Sequence, residues 1–180
     1  GDMERDYEFR TVRRLADLPT PDSIGRAAAD RAVARMSPRK VASQTAPVIY
    51  ENRLAARLLG AFVGAVTGPA IARGVSFLKD KVGEQVFSAS INIIGEPLIK
   101  GGYGSRAFDG EGRPVQNTAV VKDGVLTQWL LNGPSAKQLG LKPNGCASSA
   151  FRDTPGVSTS HPNIQPGPNS VDQLMAEAVE

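Results

Sequence analysis

The sequence contains one cysteine and one histidine. A single cysteine excludes an internal disulfide framework and any cysteine-rich zinc module. A single histidine excludes every chemistry that needs two imidazoles from this chain alone. Charge of one sign is also lacking: 21 Lys and Arg stand against 18 Asp and Glu, a formal net charge of +3. That balance is wrong for a dedicated nucleic-acid binder, although the isoelectric point is near 9.2. No long apolar run is present. The most apolar uncharged stretch, Leu58 to Ala72, lies between Arg57 and Arg73 and contains Pro69, Gly60, Gly64 and Gly68, short of the roughly 18–20 apolar residues of a membrane span. The opening residues Gly1-Asp2-Met3-Glu4-Arg5-Asp6 are charged and lead into no apolar segment, so no secretory signal is read and a cytoplasmic location is expected.

What is present suits a soluble globular protein: 180 residues, 41% hydrophobic and 22% charged, enough for one domain or a large piece of a longer chain. Thr20-Pro21-Asp22 predicts a helix start, with Thr20 as N-cap, Pro21 at the first helical position and Asp22 at the positive end of the dipole. The helix is expected to run to Met36, where Ser37-Pro38 stops it. Its basic residues Arg26, Arg31 and Arg35, followed by Arg39 and Lys40, read as a solvated face rather than a nucleic-acid patch, because acids are interleaved and no aromatic residue sits among them.

Val41 to Tyr50 reads as a strand, with Pro47 marking an edge or a bend. Glu51 to Gly68 reads as a second, apolar helix with Leu54, Leu58, Phe62 and Ala65 at helical spacing. Gly60, Gly64 and Gly68 recur every four residues, and interior glycines cost about 1 kcal/mol each relative to alanine. That pattern predicts a smooth packing edge against another backbone. Ser88 to Gly95 reads as a strand, and Gly101 to Gly112 as a glycine-rich loop without the Lys-Ser/Thr ending of a phosphate-binding loop. Asp123-Gly124 between two β-prone runs, Thr118 to Leu130, predicts a tight hairpin. Pro134 to Leu139 reads as a short helix ended by Gly140, Pro143 to Asn169 as a long loop, and Ser170 to Val179 as a last helix. The long loop and the helix without a stop suggest a fragment.

Few residues could carry chemistry. Cys146 and His161 are the only soft or imidazole ligands, fifteen positions apart, and two ligands do not make a zinc site. They read as an ordinary loop thiol and loop imidazole. Asp109 and Glu111, beside Arg106, are the one tight carboxylate pair with a basic neighbour. They could share a proton or hold a cation, and turn formation explains them equally well. No complete catalytic constellation emerges from the residues themselves.

Several ordered motifs resemble the TldD/PmbA family, long labelled modulators of DNA gyrase and understood as two-subunit metalloproteases. They are Ser76 to Val86, Gly104-Ser105-Arg106-Ala107-Phe108-Asp109-Gly110-Glu111-Gly112, the hairpin Lys122 to Leu131, Ser135 to Leu141 before Asn144-Gly145, and Asn163 to Gly167. Asp2 to Phe9 is similar to the segment that opens the family's later half. The resemblance implies an α+β fold, a mixed or antiparallel sheet with a hairpin and packed helices, and places residues 1–180 in the C-terminal domain of a larger two-domain protein. The TldD side of the family carries HExxxH on the helix corresponding to Leu58 to Val66; here that helix has neither His nor Glu. The departure resembles the PmbA/TldE side.

The resemblance therefore implies a non-catalytic subunit without a metal or cofactor of its own. Its expected partners are a zinc-bearing TldD-like subunit and unfolded peptides, in peptide maturation or antitoxin degradation. Arg106, Asp109 and Glu111 are candidate peptide or partner contacts. Two competing readings are a gyrase or nucleic-acid modulator without peptidase role, and a stand-alone hydrolase built on Asp109, Glu111 and a recruited cation.

Overall fold

The computed structural model describes residues 3–149, 152 and 154–178, and the chain forms two compact units, Gly1–Pro47 and Val48–Glu180. Asp2 and Val179, the expected ends of two segments above, lie outside the described residues.

In the first unit, α1 spans Pro21–Ala34, and Thr20 caps it by accepting the Ser23 amide at 3.3 Å. The chain from Met3 to Arg10 forms no regular element. Glu8 pairs with Arg31 and Arg10, and Asp6 and Glu4 pair with Arg35. Asp22 holds Arg26 one helical turn away at 2.8 Å. The basic helix is thus largely neutralised by its own unit. In the same segment, Tyr7 and Phe9 stack with ring centroids 6.2 Å apart.

The strand expected at Val41 to Tyr50 does not form. Its β-prone residues find no neighbouring strand among the described residues, and Val41, Val48 and Tyr50 remain exposed. Pairing and burial, not propensity, make a strand.

In the second unit the expected helix 51–68 is two helices, α2 (Asn52–Ala65) and α3 (Gly68–Ala72). The break has a tertiary cause. Leu130 donates to Val66 O at 2.9 Å and accepts from Gly68 N at 2.7 Å, so Thr67 is drawn into a bridge beside Leu130. Pro69, in the first turn of α3, suits the restart.

Four strands form one antiparallel sheet: β1 (Ile93–Gly95), β2 (Thr118–Lys122), β3 (Val125–Leu126) and β6 (Pro162–Ile164), in the order β3-β2-β1-β6. A second antiparallel pair joins β4 (Ala147–Ser148) to β5 (Gly156–Val157). Only the last three residues of Ser88 to Gly95 are strand, because Ile91 N bonds Ser88 O in a turn. The hairpin forms as expected: Asp123 and Gly124 have φ of 50° and 77°, the pair of positive values a type I′ turn requires. A Cβ at position 124 would lie 2.4 Å from Phe87 O, so only glycine fits. α4 (Gly133–Leu139) ends at left-handed Gly140, and α5 (Val171–Glu177) begins with a capping box from Ser170 and Gln173.

The expected loop over Pro143 to Asn169 needs correction, since β4, β5 and β6 lie within it. Three short strands, one beginning with proline, gave no alternation to read. The core unites Val66, Leu78, Ile93, Val120, Val121, Leu126, Leu130 and Cys146. Each large aliphatic among them contributes about 1.5–3 kcal/mol on burial. No helix among the described residues is long and apolar enough to cross a membrane.

Candidate functional site

The glycine-rich loop between β1 and β2 meets β4 and the start of α4, where the three candidate side chains converge. Asp109 is only 3% exposed. Its Oδ1 accepts the amides of Glu111 and Arg113, each at 2.9 Å, and its Oδ2 accepts the amide of Ala147 at 3.1 Å. Burial opposes its ionisation, but the amides of Arg113, Glu111 and Ala147, with the Arg106 charge, hold its carboxyl below the ordinary carboxylate range.

Both oxygens of Glu111 lie 2.9 Å from the Gly133 amide at the start of α4, and Oε2 also takes Arg113 Nε at 3.2 Å. Arg106 donates to Ala147 O at 3.3 Å and to Ser158 O at 3.1 Å, while its buried Nε has no hydrogen-bond partner among the described residues. Gly110 approaches β4 so closely that a Cβ would sit 2.7 Å from Ser149 N. The loop is therefore fastened to β4, to the end of β5 and to α4 by charged side chains acting on backbone groups.

The oxygens of the pair accept backbone amides and Arg113, and together they staple the loop to β4 and to the start of α4. Surface turn chemistry describes only part of it, because Asp109 is buried and reaches a strand 38 residues away.

Cys146 and His161 have different neighbours. The Cys146 thiol lies in the core, and burial, partly opposed by the Arg106 charge, pushes it up to about 11. His161 sits at the turn into β6 with Nε2 3.1 Å from Ser105 Oγ. No group of three or more His, Cys, Asp or Glu residues that could hold a metal occurs among the described residues.

The glycine edge also needs correction. A Cβ at Gly60 or Gly64 would meet nothing within 4 Å, whereas one at Gly68 would meet Ser135 Oγ at 2.2 Å and Leu131 Cδ2 at 2.8 Å. Of these three, only Gly68 packs closely among the described residues, and its neighbours are side chains, not backbone. An apolar cavity of about 290 Å³ opens between α2 and residues 77–87, lined by Leu58, Phe62, Phe77 and Phe87 among others.

Two asparagines matter more than their sequence suggested. Asn132 caps α4 and donates to Pro155 O at 2.9 Å, joining the helix to β5. Asn144 accepts from Leu131 N at 2.8 Å and donates to Trp129 O at 2.7 Å. Asn132 followed by Gly133 and Pro134 was a readable capping signal; Asn144 gave none beyond its Asn-Gly turn.

With this geometry in place, the comparisons with known proteins are consistent. The sequence profile described as PmbA/TldA metallopeptidase C-terminal domain matches residues 43–180, a span that nearly coincides with the second unit. Metalloprotease PmbA of Escherichia coli is 43% identical over 82% of this chain and 33% of that protein. A PmbA homologue from Haemophilus influenzae is 32% identical over 81% and 32% of the respective chains.

Among solved structures, a protein from Thermotoga maritima described as a candidate modulator of a DNA gyrase superposes with a TM-score of 0.83 at 29% identity, over 93% of this chain and 38% of that one. TldE from Thermococcus kodakarensis superposes with a TM-score of 0.64 at 18% identity, over 85% and 36%, which speaks for the fold alone. The chain spans about a third of the length of the curated relatives it matches. Motifs, α+β architecture and profile agree that the chain belongs to the PmbA/TldD metallopeptidase family, through that family's C-terminal domain.

Proposed function

We propose that this chain is part of a PmbA/TldE-like subunit of a TldD/TldE-type metalloprotease complex, acting in the cytoplasm on unfolded peptides in peptide maturation or antitoxin degradation. One observation carries the reading: α2, from Asn52 to Ala65, contains no His, Cys, Asp or Glu. The family name implies a metal, and the residues present do not fit one. Cys146 is a buried thiol whose burial favours the protonated form, the oxygens of Asp109 are taken by amides, and His161 faces Ser105. A zinc site wants three or four convergent ligands with open access. The catalytic zinc and its base therefore belong to a TldD-like partner, and this chain contributes walls and peptide-contacting surface.

The nucleic-acid reading gains nothing from α1, because Arg26, Arg31 and Arg35 are all engaged by acids. The test uses the full-length parent protein and an HExxxH-bearing partner. The parent alone should leave an unfolded peptide intact, and the pair should cleave it in a chelator-sensitive manner. Cleavage by the parent alone, abolished by a chelator, would overturn the proposal.

A further inference from the structure

We infer that Asn144-Gly145 is a modification site, where the chain ages by conversion of Asn144 to aspartate or isoaspartate, and that its other Asn-Gly pair, Asn132-Gly133, is guarded against the same reaction. In that reaction the Gly145 nitrogen gives its proton to solvent and attacks Asn144 Cγ. The new N–C bond closes a five-membered imide, and Nδ2 leaves as ammonia. Water then opens the ring at either carbonyl, so one water is consumed and one ammonia released. A following glycine favours the attack, because no side chain crowds its nitrogen.

The fold requires both members of this labile pair. Residue 144 must be an amide: its Oδ1 accepts Leu131 N at 2.8 Å, and its Nδ2 donates to Trp129 O at 2.7 Å and to Gln128 Oε1 at 3.0 Å. Residue 145 must be glycine: its φ is 75°, and a Cβ there would lie 3.0 Å from Pro114 O. Residues 141–145 form no regular element, Asn144 and Gly145 are half-buried, and no described residue accepts the Gly145 amide. Opening of this short loop is enough to free both reacting groups.

Asn132-Gly133 has the same chemistry in the opposite setting. Asn132 is 2% exposed, and its Oδ1 accepts Ser135 N at 3.1 Å and Ser135 Oγ at 2.6 Å. Both Glu111 oxygens hold the Gly133 amide at 2.9 Å. The attacking nitrogen is therefore tied to a carboxylate, and attack would also have to undo the cap of α4.

The product cannot replace the amide. An aspartate carboxylate at 144 would turn an oxygen toward Trp129 O and Gln128 Oε1, with no hydrogen between them. Gln128 cannot reverse its own amide without giving up the bond from Nε2 to Ala119 O at 2.9 Å. Isoaspartate adds one carbon to the main chain directly ahead of Cys146 and β4. Conversion thus loosens the junction between residues 128–131 and β4, and cannot be undone by refolding.

Peptide mapping by mass spectrometry, on full-length protein aged in mildly alkaline buffer with and without urea, tests the inference. With each site normalised to its own rate in urea, native Asn144 should convert about tenfold or more faster than native Asn132, the weight of a hydrogen bond to a charged group. Glu111→Ala should narrow that gap by speeding Asn132 and leave the Asn144 rate as it was. Native Asn144→Asp should be cut by trypsin about tenfold faster than wild type, since two hydrogen bonds that hold the junction closed are lost. Native Asn132 converting as fast as Asn144, or no native conversion at Asn144 while urea permits it, overturns the site. An unchanged gap in Glu111→Ala overturns the guard, and an Asn144→Asp protein as resistant as wild type overturns the loosening.

Discussion

Asp109 and Arg106 both hold the backbone of Ala147, the first at its amide and the second at its carbonyl. The carboxylate takes the Ala147 amide at 3.1 Å, and the Ala147 carbonyl receives the Arg106 guanidinium at 3.3 Å and the Gly110 amide at 2.9 Å. A charged pair divided across one residue of β4 fixes the glycine-rich loop to the strand.

Asp109 makes stability depend on acid. Its carboxyl titrates lower in the folded chain than in the unfolded one. The stabilisation is therefore complete above the unfolded value of about 4 and is lost as pH falls through the folded value. Urea unfolding followed by Trp129 fluorescence should show stability falling below about pH 4. Asp109→Asn should lose about 2–3 kcal/mol at neutral pH, leaving buried amides poorly satisfied, and should flatten the acid limb. An unchanged acid limb in that variant would contradict the staple.

The three glycines of the α2 region should separate on substitution. Gly68→Ala would drive a Cβ into Ser135 and Leu131 and should destabilise by about 1–3 kcal/mol. Gly60→Ala and Gly64→Ala meet open space and should each raise stability by up to about 1 kcal/mol through helix propensity. Equal effects at all three positions, read from melting temperatures, would refute this division.

Cys146 should be inert. At 3% exposure and with its thiol pushed up to about 11, it carries almost no thiolate at pH 8. Ellman's reagent should label it only as the protein unfolds. Stoichiometric labelling of the native chain within minutes would mean that the core around Val66 and Leu130 opens readily.

Local chemistry made part of the fold legible in the sequence. Thr20-Pro21, Asp123-Gly124 and Gly140 each impose a backbone conformation within a few residues, and each element formed where expected. Elements set by distant partners were not legible. β6 is a strand because β1, some seventy residues earlier, accepts it, and α2 stops at Val66 because Leu130 pairs there. The same division holds at the site. Arg106, Asp109 and Glu111 were visible as a charged cluster, but their role depends on Ala147 and Gly133. The Ser105–His161 contact could not be read from residues so far apart.

Metal content tests the central claim most directly. The full-length parent protein, purified alone and dialysed after exposure to zinc, should retain essentially none by elemental analysis, while the separately purified HExxxH-bearing partner should retain about one zinc per chain. About one tightly held zinc per parent chain, lost on substituting His161 or Cys146, would contradict the reading of this chain as the metal-free subunit.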